Sequence, residues 1–588
     1  MISPDNSTGS RTADLATIIL YGCAVFMLGL GSYGFWEPWE PKYALAIQEM
    51  LDRGEYFIPY LNGEIRWTKP ILYYWAALPL AAVAGVNEWT MRLPSALAAL
   101  AGMIVLYLCI SRIRSRRTGF LAAMILGTTP QYFCMARQAM PDMLMSFFLL
   151  STMCFFAAGR FGEGDPRRWF QASYASLGLA FLTKGPVTLV LALGAIGICF
   201  LFQPGGEVAQ PLRTFARDWK IHAKRFHVLP GLIIAGAIAV PWYLFLMATE
   251  WRGFWAIFVG YENFARFVLP IRDHHGTVTY YFSTIFHGMY PWSALLPGVL
   301  IFLMKKTGRT APEMRQRWYF AAWFLSAFLL YSAAGTKLQH YFLPAAAPFA
   351  VLIASFWEDF SARKRPTELA TVLISVPFLY IISRDLLDEG HGRAIANFID
   401  RSDLNVEGIP FSLLMVFGTW TAACATAFLS KRASLLSRRV ALICVMTAVF
   451  NAAVFSLHVI PRHTTTGGRN VTVYTSKIEK RLQKGAALVV FGGVRYSAYY
   501  YIGRDKVAHY EGDELDTMVA SLHEKSRVYI IAQDEWMPAL HEKLALDRRH
   551  KWKTLSSAME GYSLIRGLRR KAEIRKDSSV AAPGGGNA

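Results

Sequence analysis

Charged residues are scarce in this sequence. Only 17% of its 588 residues are charged, whereas 54% are hydrophobic and 14% are aromatic. An ordinary soluble protein carries roughly 25% charged residues. This composition excludes a soluble multidomain protein and indicates a chain embedded in a membrane.

Cysteine is also scarce, and its positions exclude a disulfide framework. No Cys-x-x-Cys pair occurs, and all seven cysteines lie in or beside apolar stretches: Cys23, Cys109, Cys134, Cys154, Cys199, Cys424 and Cys444. The pattern is typical of small buried hydrophobic side chains. Residues 1–13 lack the basic region of a signal peptide. We therefore expect the first apolar stretch to be an uncleaved anchor.

Long apolar stretches are abundant. A helix needs about 20 mostly apolar residues to cross roughly 30 Å of hydrocarbon. Ten stretches are long enough or nearly so: 14–34, 90–110, 143–159, 185–203, 228–247, 281–303, 317–335, 366–383, 410–430 and 438–459. Three shorter stretches complete the predicted set: 118–134, 168–183 and 341–357.

The basic residues predict the topology. The net charge is +20, and Lys and Arg cluster between apolar stretches at 112–117, 213–225, 305–317, 363–365 and 431–439. Such clusters remain in the cytoplasm. All five do so if the apolar segment that follows Lys69-Pro70 lies at the membrane interface instead of crossing. The pattern predicts thirteen transmembrane helices, a cytoplasmic N-terminus, an outer C-terminus and no nucleic-acid partner.

The predicted fold is an α-helical polytopic membrane protein with a small C-terminal α/β domain. The transmembrane domain covers 14–460, and its first outer loop is 35–89. Residues 470–567 have the composition of a soluble domain. The polar, glycine-rich end of the chain, 568–588, is expected to be a disordered tail.

Short hydrophobic runs define the expected core of the soluble domain. Residues 487–491 and 528–532 have the pattern of buried strands, and 477–484 and 513–525 the pattern of helices. The Gly492-Gly493 pair follows the first strand without the full spacing of a phosphate-binding fingerprint. A turn that ends the strand is the better interpretation.

Ionisable side chains are concentrated in the predicted outer loops. They comprise three carboxylates and four lysines: Glu37, Glu40, Asp142, Lys42, Lys69, Lys184 and Lys337. Each alone has an ordinary explanation, such as a solvated loop, a helix N-cap or a snorkelling lysine. Together they suit a phosphate-linked substrate, because cations stabilise a departing phosphate and a carboxylate orients or deprotonates the nucleophile. Such a substrate would arrive from the bilayer at headgroup level.

A series of short motifs runs from the first outer loop to about residue 350: Trp36-Glu37-Pro38-Trp39-Glu40-Pro41-Lys42-Tyr43-Ala44, Gly54-Glu55 with Pro59 and Leu61-Asn62-Gly63, Lys69-Pro70 with Tyr73, Pro141-Asp142, Thr183-Lys184-Gly185, and Lys337-Leu338 with Tyr341 and Leu343-Pro344. Their order resembles the GT-C glycosyltransferases, in particular the aminoarabinose transferases of lipid A, and more broadly the protein O-mannosyltransferases. As an ensemble these motifs are specific, whereas singly they are not.

The resemblance implies a membrane enzyme with a defined pair of substrates. The donor would be a sugar on polyprenyl (undecaprenyl) phosphate, and the acceptor lipid A or another glycolipid at the periplasmic face of a bacterial inner membrane. Transfer would invert the anomeric carbon. The resemblance implies catalytic roles for Glu37, Glu40 and Asp142, phosphate binding by Lys42, Lys69, Lys184 and Lys337, and substrate-lining roles for Trp39, Tyr43, Tyr73 and Tyr341.

The sequence departs from the family pattern at two places. The family's acidic pair is Asp-Glu, but here Trp39 stands at the first position and only Glu40 is retained. Either Glu37 or Asp142 covers for the lost acid, or the acceptor is handled differently. Thr68 and Asn263 stand where relatives carry an acidic residue and a histidine, so we predict no structural zinc.

No cofactor is required by this pattern, although a divalent cation remains possible. The adjacent histidines His274 and His275 could ligate a metal, but neighbouring side chains point in different directions, and a solvated loop is the better interpretation.

Three other functions fit the composition. A transporter or lipid flippase would also have many helices, but the sequence has no internal repeat and few charges within the apolar stretches. A protein O-glycosyltransferase differs only in its acceptor. A membrane scaffold that has lost activity together with the family's Asp is the third alternative.

Overall fold

The computed structural model describes most of the first 387 residues and much of the C-terminal region. The described residues are 8–36, 39–201, 220–265, 280–304, 311–363, 366–387, 420, 447, 486–492, 496–503, 506–522, 525–547, 549–559 and 562–569. The chain forms two compact units. The first comprises Met1–Leu30 and Glu49–His458, and the second comprises Gly31–Gln48 and Val459–Ala588.

The first unit is mainly helical. Its described α-helices are α1 Thr8–Gly22, α2 Trp39–Arg53 (which begins in the second unit), α3 Leu72–Ala84, α4 Glu88–Ile113, α5 Arg116–Thr128, α6 Pro130–Ala136, α7 Pro141–Phe161, α8 Arg167–Lys184, α9 Val187–Leu201, α10 Val228–Thr249, α11 Tyr280–Gly288, α12 Leu296–Met304, α13 Ala311–Ala333, α14 Ala346–Arg363 and α15 Pro366–Leu387.

Shorter elements connect these helices. They are a hairpin of β1 Tyr60–Leu61 and β2 Glu64–Ile65, π-helices at Cys23–Met27 and Phe254–Ala265, a single turn at Trp251–Gly253, and 3-10 helices at Trp292–Leu295 and Gln339–Ala345.

Local sequence explains where several helices begin. The Asn87 side chain accepts hydrogen bonds from the backbone N–H groups of Trp89 and Thr90, which caps α4. Ser115 caps α5 in the same way by accepting from Thr118 N. Such caps satisfy N–H groups that have no partner within the helix.

Four described segments are long and apolar enough to cross a membrane: Glu88–Ile113, Pro141–Phe161, Val228–Thr249 and Gln339–Phe360. The pair Tyr280–Gly288 and Trp292–Met304 would add a fifth, although it is bent by 111°. The chain is an integral membrane protein. The count of thirteen spans stays a prediction, and its last two stretches, 410–430 and 438–459, lie outside the described residues except for Trp420 and Thr447.

The segment predicted to rest at the interface contains the helix α3. This helix has 13 residues, fewer than a span needs. Its position relative to a membrane stays a prediction.

Two buried arginines hold the end of the first helix. Arg92 Nη1 donates to the carbonyl of Leu30 at 2.9 Å. Arg137 donates through Nη1 to Val25 O at 2.9 Å and through Nη2 to Leu28 O at 2.8 Å. The last carbonyls of a helix have no intrahelical donor, so these guanidinium groups satisfy acceptors that lipid could not.

Helix α7 packs against two central helices of the first unit, antiparallel to α8 and parallel to α4. Ser95 Oγ donates to Met140 O at 3.2 Å, and further along both helices Cys109 Sγ donates to Cys154 O at 2.9 Å, so α4 and α7 run in the same direction. The short connection 162–166 turns the chain back, so the first residues of α7 lie beside the last residues of α8. Tyr319 of α13 stacks on Phe156 of α7, and its hydroxyl donates to Met153 O at 2.7 Å.

The second unit contains a five-stranded mixed sheet with the order β4-β3-β5-β7-β6. Its elements are β3 Ala487–Phe491, α16 Tyr496–Ile502, β4 Val507–Tyr510, α17 Leu515–Leu522, β5 Arg527–Gln533, α18 Met537–Leu546, β6 His550–Met559 and β7 Tyr562–Arg569, with 3-10 turns at Gly512–Glu514 and Asp534–Trp536. Strands β3, β4 and β5 are parallel, whereas β7 is antiparallel to both β5 and β6.

Side chains alternate between two apolar clusters on the faces of this sheet. One cluster includes Leu488, Val490, Tyr529 and Ile531. The other includes Val489, Phe491, Val528 and Ile530. Because both faces are covered, β3 is apolar along its whole length, and β5 is apolar at 528–532 between its end residues Arg527 and Gln533.

The structure refines the expectations for this unit. The strands expected at 487–491 and 528–532 are β3 and β5, and the helix expected at 513–525 is the shorter α17. The helix expected at 477–484 lies outside the described residues. Strand β7 continues through Arg569, so the predicted tail boundary at 568 is two residues too early.

Candidate active site

A buried ion pair joins the start of α7 to the end of α8. Asp142 lies in the first turn of α7, and Lys184 is the last residue of α8. Lys184 Nζ donates to Asp142 Oδ1 at 2.5 Å, and the two side chains are only 8% and 3% exposed. Gly185, with a φ of +76°, ends α8 in a conformation that suits glycine.

A histidine, a second lysine and an aromatic ring surround this pair. His340 Nε2 lies 3.8 Å from Asp142 Oδ1. Lys184 Nζ lies 4.6 Å from the centre of the Tyr341 ring. Lys69, half-buried after the β1–β2 hairpin, interacts electrostatically with Asp142. Two lysines therefore bring two positive charges to a single carboxylate, an arrangement suited to an additional anion.

Lys337 has a different environment. Its ammonium group donates to Ser332 O and to Ala334 O, both at 2.8 Å, so it satisfies carbonyls at the end of α13. Burial lowers the pKa of Lys337. To bind phosphate, the ammonium would have to give up these hydrogen bonds. Its predicted phosphate contact stays a prediction.

The aromatic residues expected to line the substrate site divide into two groups. Tyr341 lies against Lys184, as described. Tyr73 is fully buried in α3, and its hydroxyl donates to Met91 O at 2.7 Å. This hydrogen bond ties α3 to α4, so Tyr73 has a clear role in packing.

The segment that contains Glu37 and Glu40 belongs to the second unit. Glu40 is 1% exposed, and its Oε2 accepts a hydrogen bond from Trp36 N at 2.6 Å. The backbone N–H of Glu40 also donates to Trp36 O, so two hydrogen bonds join Glu40 to the backbone of Trp36. Glu37 lies outside the described residues.

Lys42 lies between two aromatic rings of the second unit. Its Nζ is 5.4 Å from the centre of the Trp39 ring and 4.5 Å from that of Tyr496. Tyr43 is buried, with 3% exposure. Trp39 therefore offers Lys42 an aromatic face at the position where the resembled family has an acid.

Sequence reasoning missed two of these contacts. His340 precedes Tyr341 in a recognised motif, so its position was a usable signal. Tyr496 is more than 450 residues from Lys42, and no local pattern connects them.

The positions discussed for zinc have other hydrogen bonds. Thr68 Oγ1 accepts from Arg66 Nε at 3.2 Å, and Asn263 Nδ2 donates to Phe258 O at 2.6 Å. Within the described ranges, no three His, Cys, Asp or Glu side chains converge as metal ligands. His274 and His275 lie outside those ranges.

Comparisons with known proteins agree with the resemblance seen in the motifs. Residues 68–214 match the family model described as dolichyl-phosphate-mannose-protein mannosyltransferase. An undecaprenyl phosphate-alpha-4-amino-4-deoxy-L-arabinose arabinosyl transferase of Yersinia enterocolitica is 29% identical over 352 residues, which are 58% of this chain and 59% of that protein. The Shewanella sediminis protein of the same name is 25% identical over 73% of this chain and 74% of its own length.

The fold is shared with a solved structure. The crystal structure of ArnT from Cupriavidus metallidurans bound to undecaprenyl phosphate superimposes with a TM-score of 0.69 at 17% identity, covering 97% of this chain and all of that one. The GT-C fold expected from the sequence is confirmed, as is the resemblance to the aminoarabinose transferases. The matched region spans about 59% of the Yersinia relative.

Proposed function

We propose that this chain is a multi-pass membrane glycosyltransferase that moves a sugar from undecaprenyl phosphate to lipid A or another glycolipid. The observation that carries the proposal is the Asp142–Lys184 pair, with Lys69, His340 and Tyr341 around it. The names of the sequence relatives, and the undecaprenyl phosphate bound in the structural relative, support this choice of donor.

The chemical step places a growing negative charge near the lysines. An acceptor oxygen attacks the anomeric carbon, the bond from that carbon to the phosphate oxygen breaks, and the electron pair leaves with undecaprenyl phosphate. Lys184 and Lys69 stabilise the departing phosphate, because fixed cations act most strongly in a water-poor site. Asp142 holds Lys184 in place and keeps its charge compensated before the substrate arrives.

Asp142 is the carboxylate of this site within the first unit, and we assign orientation or deprotonation of the acceptor to it. The catalytic roles that the motif resemblance implies for Glu40 and Glu37 stay predictions. Trp39 replaces the acid of the resembled family. An acceptor that is already an anionic phosphate needs little help from a general base, so the replacement is compatible with transfer.

The site is proposed to face the periplasm from the inner membrane. Helix α7 has 21 residues and is therefore about 30 Å long, roughly the thickness of the hydrocarbon layer. Asp142 and Lys184 lie at one end of the α7–α8 hairpin, whereas Arg160, Arg167 and Arg168 lie at the other. Basic residues favour the cytoplasm, which leaves the ion pair on the opposite side.

A transfer assay tests the proposal. The full-length protein in detergent receives a panel of radiolabelled undecaprenyl-phosphate sugars with total membrane lipid, and label is followed into product. We expect transfer from one donor, and its loss in Lys184→Ala. Lys224→Ala, which alters an exposed lysine, is the matched control and should retain activity.

The acceptor is tested in the same assay. The description of the matching family model names a protein mannosyltransferase, so a protein is the second candidate for the acceptor. Label that enters added membrane protein rather than lipid would support it. Absence of transfer from every donor by folded protein would contradict both candidates and favour the transporter.

A further inference from the structure

Four buried oxygen atoms near the ion pair lack hydrogen-bond partners within the described part of the chain. They are Gln131 Oε1, Ser146 Oγ, Tyr331 Oη and Gln339 Oε1. The side chains of Gln131, Ser146 and Tyr331 belong to residues that are 0%, 6% and 4% exposed. A buried polar atom without a partner costs free energy, so four in one neighbourhood require an explanation.

Each of the four belongs to the surroundings of Asp142 and Lys184. Ser146 follows Asp142 by one turn on the same face of α7. The Tyr331 ring centre is 5.8 Å from that of Tyr341, which contacts Lys184.

The two glutamines are linked through the segment that carries His340. Gln131 Nε2 donates to the backbone carbonyl of Gln339 at 2.7 Å, and Gln339 directly precedes His340. His340 in turn approaches Asp142.

The chemistry of the glutamines specifies what could satisfy them. A backbone carbonyl only accepts, so the amide NH2 of Gln131 must face Gln339 O, which leaves Oε1 as an acceptor without a donor. Gln339 Oε1 is likewise an acceptor. Phosphate oxygens also only accept, so a phosphate group would satisfy neither. Hydroxyl or ammonium groups would satisfy both.

We propose that these four oxygens form the subsite for the sugar ring of the lipid-linked donor. Gln131 and Gln339 accept hydrogen bonds from hydroxyl or ammonium substituents of the sugar, and Ser146 and Tyr331 donate or accept as the sugar requires. The donor's phosphate lies on the side of Lys184 and Lys69. This subsite presupposes the transferase activity proposed above, and adds that the sugar must carry at least two hydrogen-bond donors.

Two substitutions test the subsite because they have opposite effects on stability and on function. Tyr331→Phe and Gln339→Leu each remove an oxygen that has no hydrogen-bond partner among the described residues. Gln339→Leu keeps the hydrogen bond from Gln131 because that bond uses the backbone carbonyl of residue 339. We expect unchanged or higher thermal stability of the lipid-free protein. We also expect kcat/KM for the sugar-loaded donor to fall about tenfold per variant, the scale of one lost hydrogen bond.

The binding of bare undecaprenyl phosphate serves as an internal reference. It should be unchanged in both variants, because the proposed subsite contacts only the sugar. Tyr319→Phe is the matched control, since its hydroxyl donates to Met153 O. The control should lose stability and keep its kcat/KM.

The possible outcomes separate the two proposals. Wild-type transfer with unchanged kcat/KM in both variants would overturn the subsite alone and leave ordered water as the partner of the oxygens. An equal loss of binding for bare and sugar-loaded lipid would also overturn it. Absence of both binding and transfer by the wild-type protein would overturn the transferase function, and the subsite with it.

Discussion

Replacing Lys184 by methionine separates the structural role of the buried ion pair from its role in transfer. Methionine keeps most of the lysine's length and removes the charge, so Asp142 is left buried with a deficit of positive charge. Removal of one partner from a buried ion pair typically lowers the free energy of unfolding by about 3–5 kcal/mol. His340 and Lys69 remain near Asp142. We therefore expect Lys184→Met to lower the free energy of unfolding by about 3 kcal/mol, the lower end of that range.

A double variant removes the carboxylate of Asp142 together with the charge of Lys184. In Asp142→Asn/Lys184→Met neither charge remains, and neutral replacements of a buried pair are often close to neutral in stability. We expect the double variant to recover to within about 1 kcal/mol of the wild-type protein. Transfer should nevertheless be absent from the double variant, because the phosphate contact is missing.

Unfolding in SDS, followed by circular dichroism of the helices, measures the stability of each variant, and the radiolabel assay measures transfer. If the double variant is no more stable than Lys184→Met, the two charges are not coupled and the reasoning from burial is wrong. If the double variant transfers sugar at the wild-type rate, Lys184 does not hold the phosphate.

Three further predictions concern other residues. Lys69→Ala should abolish transfer while membrane insertion stays intact; normal turnover, measured on the purified variant, would remove Lys69 from the site. Trp39→Asp restores the acid of the resembled family and should raise the transfer rate, whereas an equal or lower rate would mean that the site has been rebuilt around Trp39. In the second unit, His550 Nδ1 and Nε2 each lie 2.8 Å from an acceptor, a carboxylate oxygen of Asp547 and a backbone carbonyl. Asp547→Asn should therefore lower the stability of this unit by about 1–3 kcal/mol, seen as faster proteolysis of the unit in the full-length protein; an unchanged rate would contradict a stabilising role for this buried hydrogen bond.

The ion pair illustrates what sequence could predict. For both Asp142 and Lys184, a short motif and a position at the end of an apolar stretch indicate a functional residue. The local pattern could not show that they touch, because that contact depends on the antiparallel packing of α7 on α8. The motif resemblance supplied the fold class, which the structural comparison confirms.

Lys337 shows what a motif alone leaves open. Its motif predicts a phosphate contact, which stays a prediction, and in this structure its ammonium donates to carbonyls that lie three and five residues earlier. A lysine that snorkels, one that caps a helix and one that binds substrate have the same sequence signal. Only the direction of the side chain distinguishes them.

The strands of the second unit show the limit of hydrophobic patterns. Strands β3 and β5 are central and contain the apolar runs 487–491 and 528–532, so short apolar runs predict them. Strand β4 lies at one edge and β6 at the other, and β6 contains lysines and serines. Edge strands need not be apolar on both faces, so the apolar runs that predict β3 and β5 do not predict the edge strands β4 and β6.

Arg92 and Arg137 donate hydrogen bonds to carbonyls in and just after the π-helix Cys23–Met27, which continues the first helix, and these bonds have a consequence for biogenesis. The first helix leaves the ribosome well before either arginine has been synthesised, and roughly 110 residues separate Arg137 from the carbonyls it holds. Until α4 and the segment after α6 have entered the bilayer, those carbonyls have to be satisfied by water or by the insertion machinery. The first helix therefore enters the membrane early because it is hydrophobic, but its hydrogen bonds to Arg92 and Arg137 form later. Its final tilt is fixed only after several later helices have joined it.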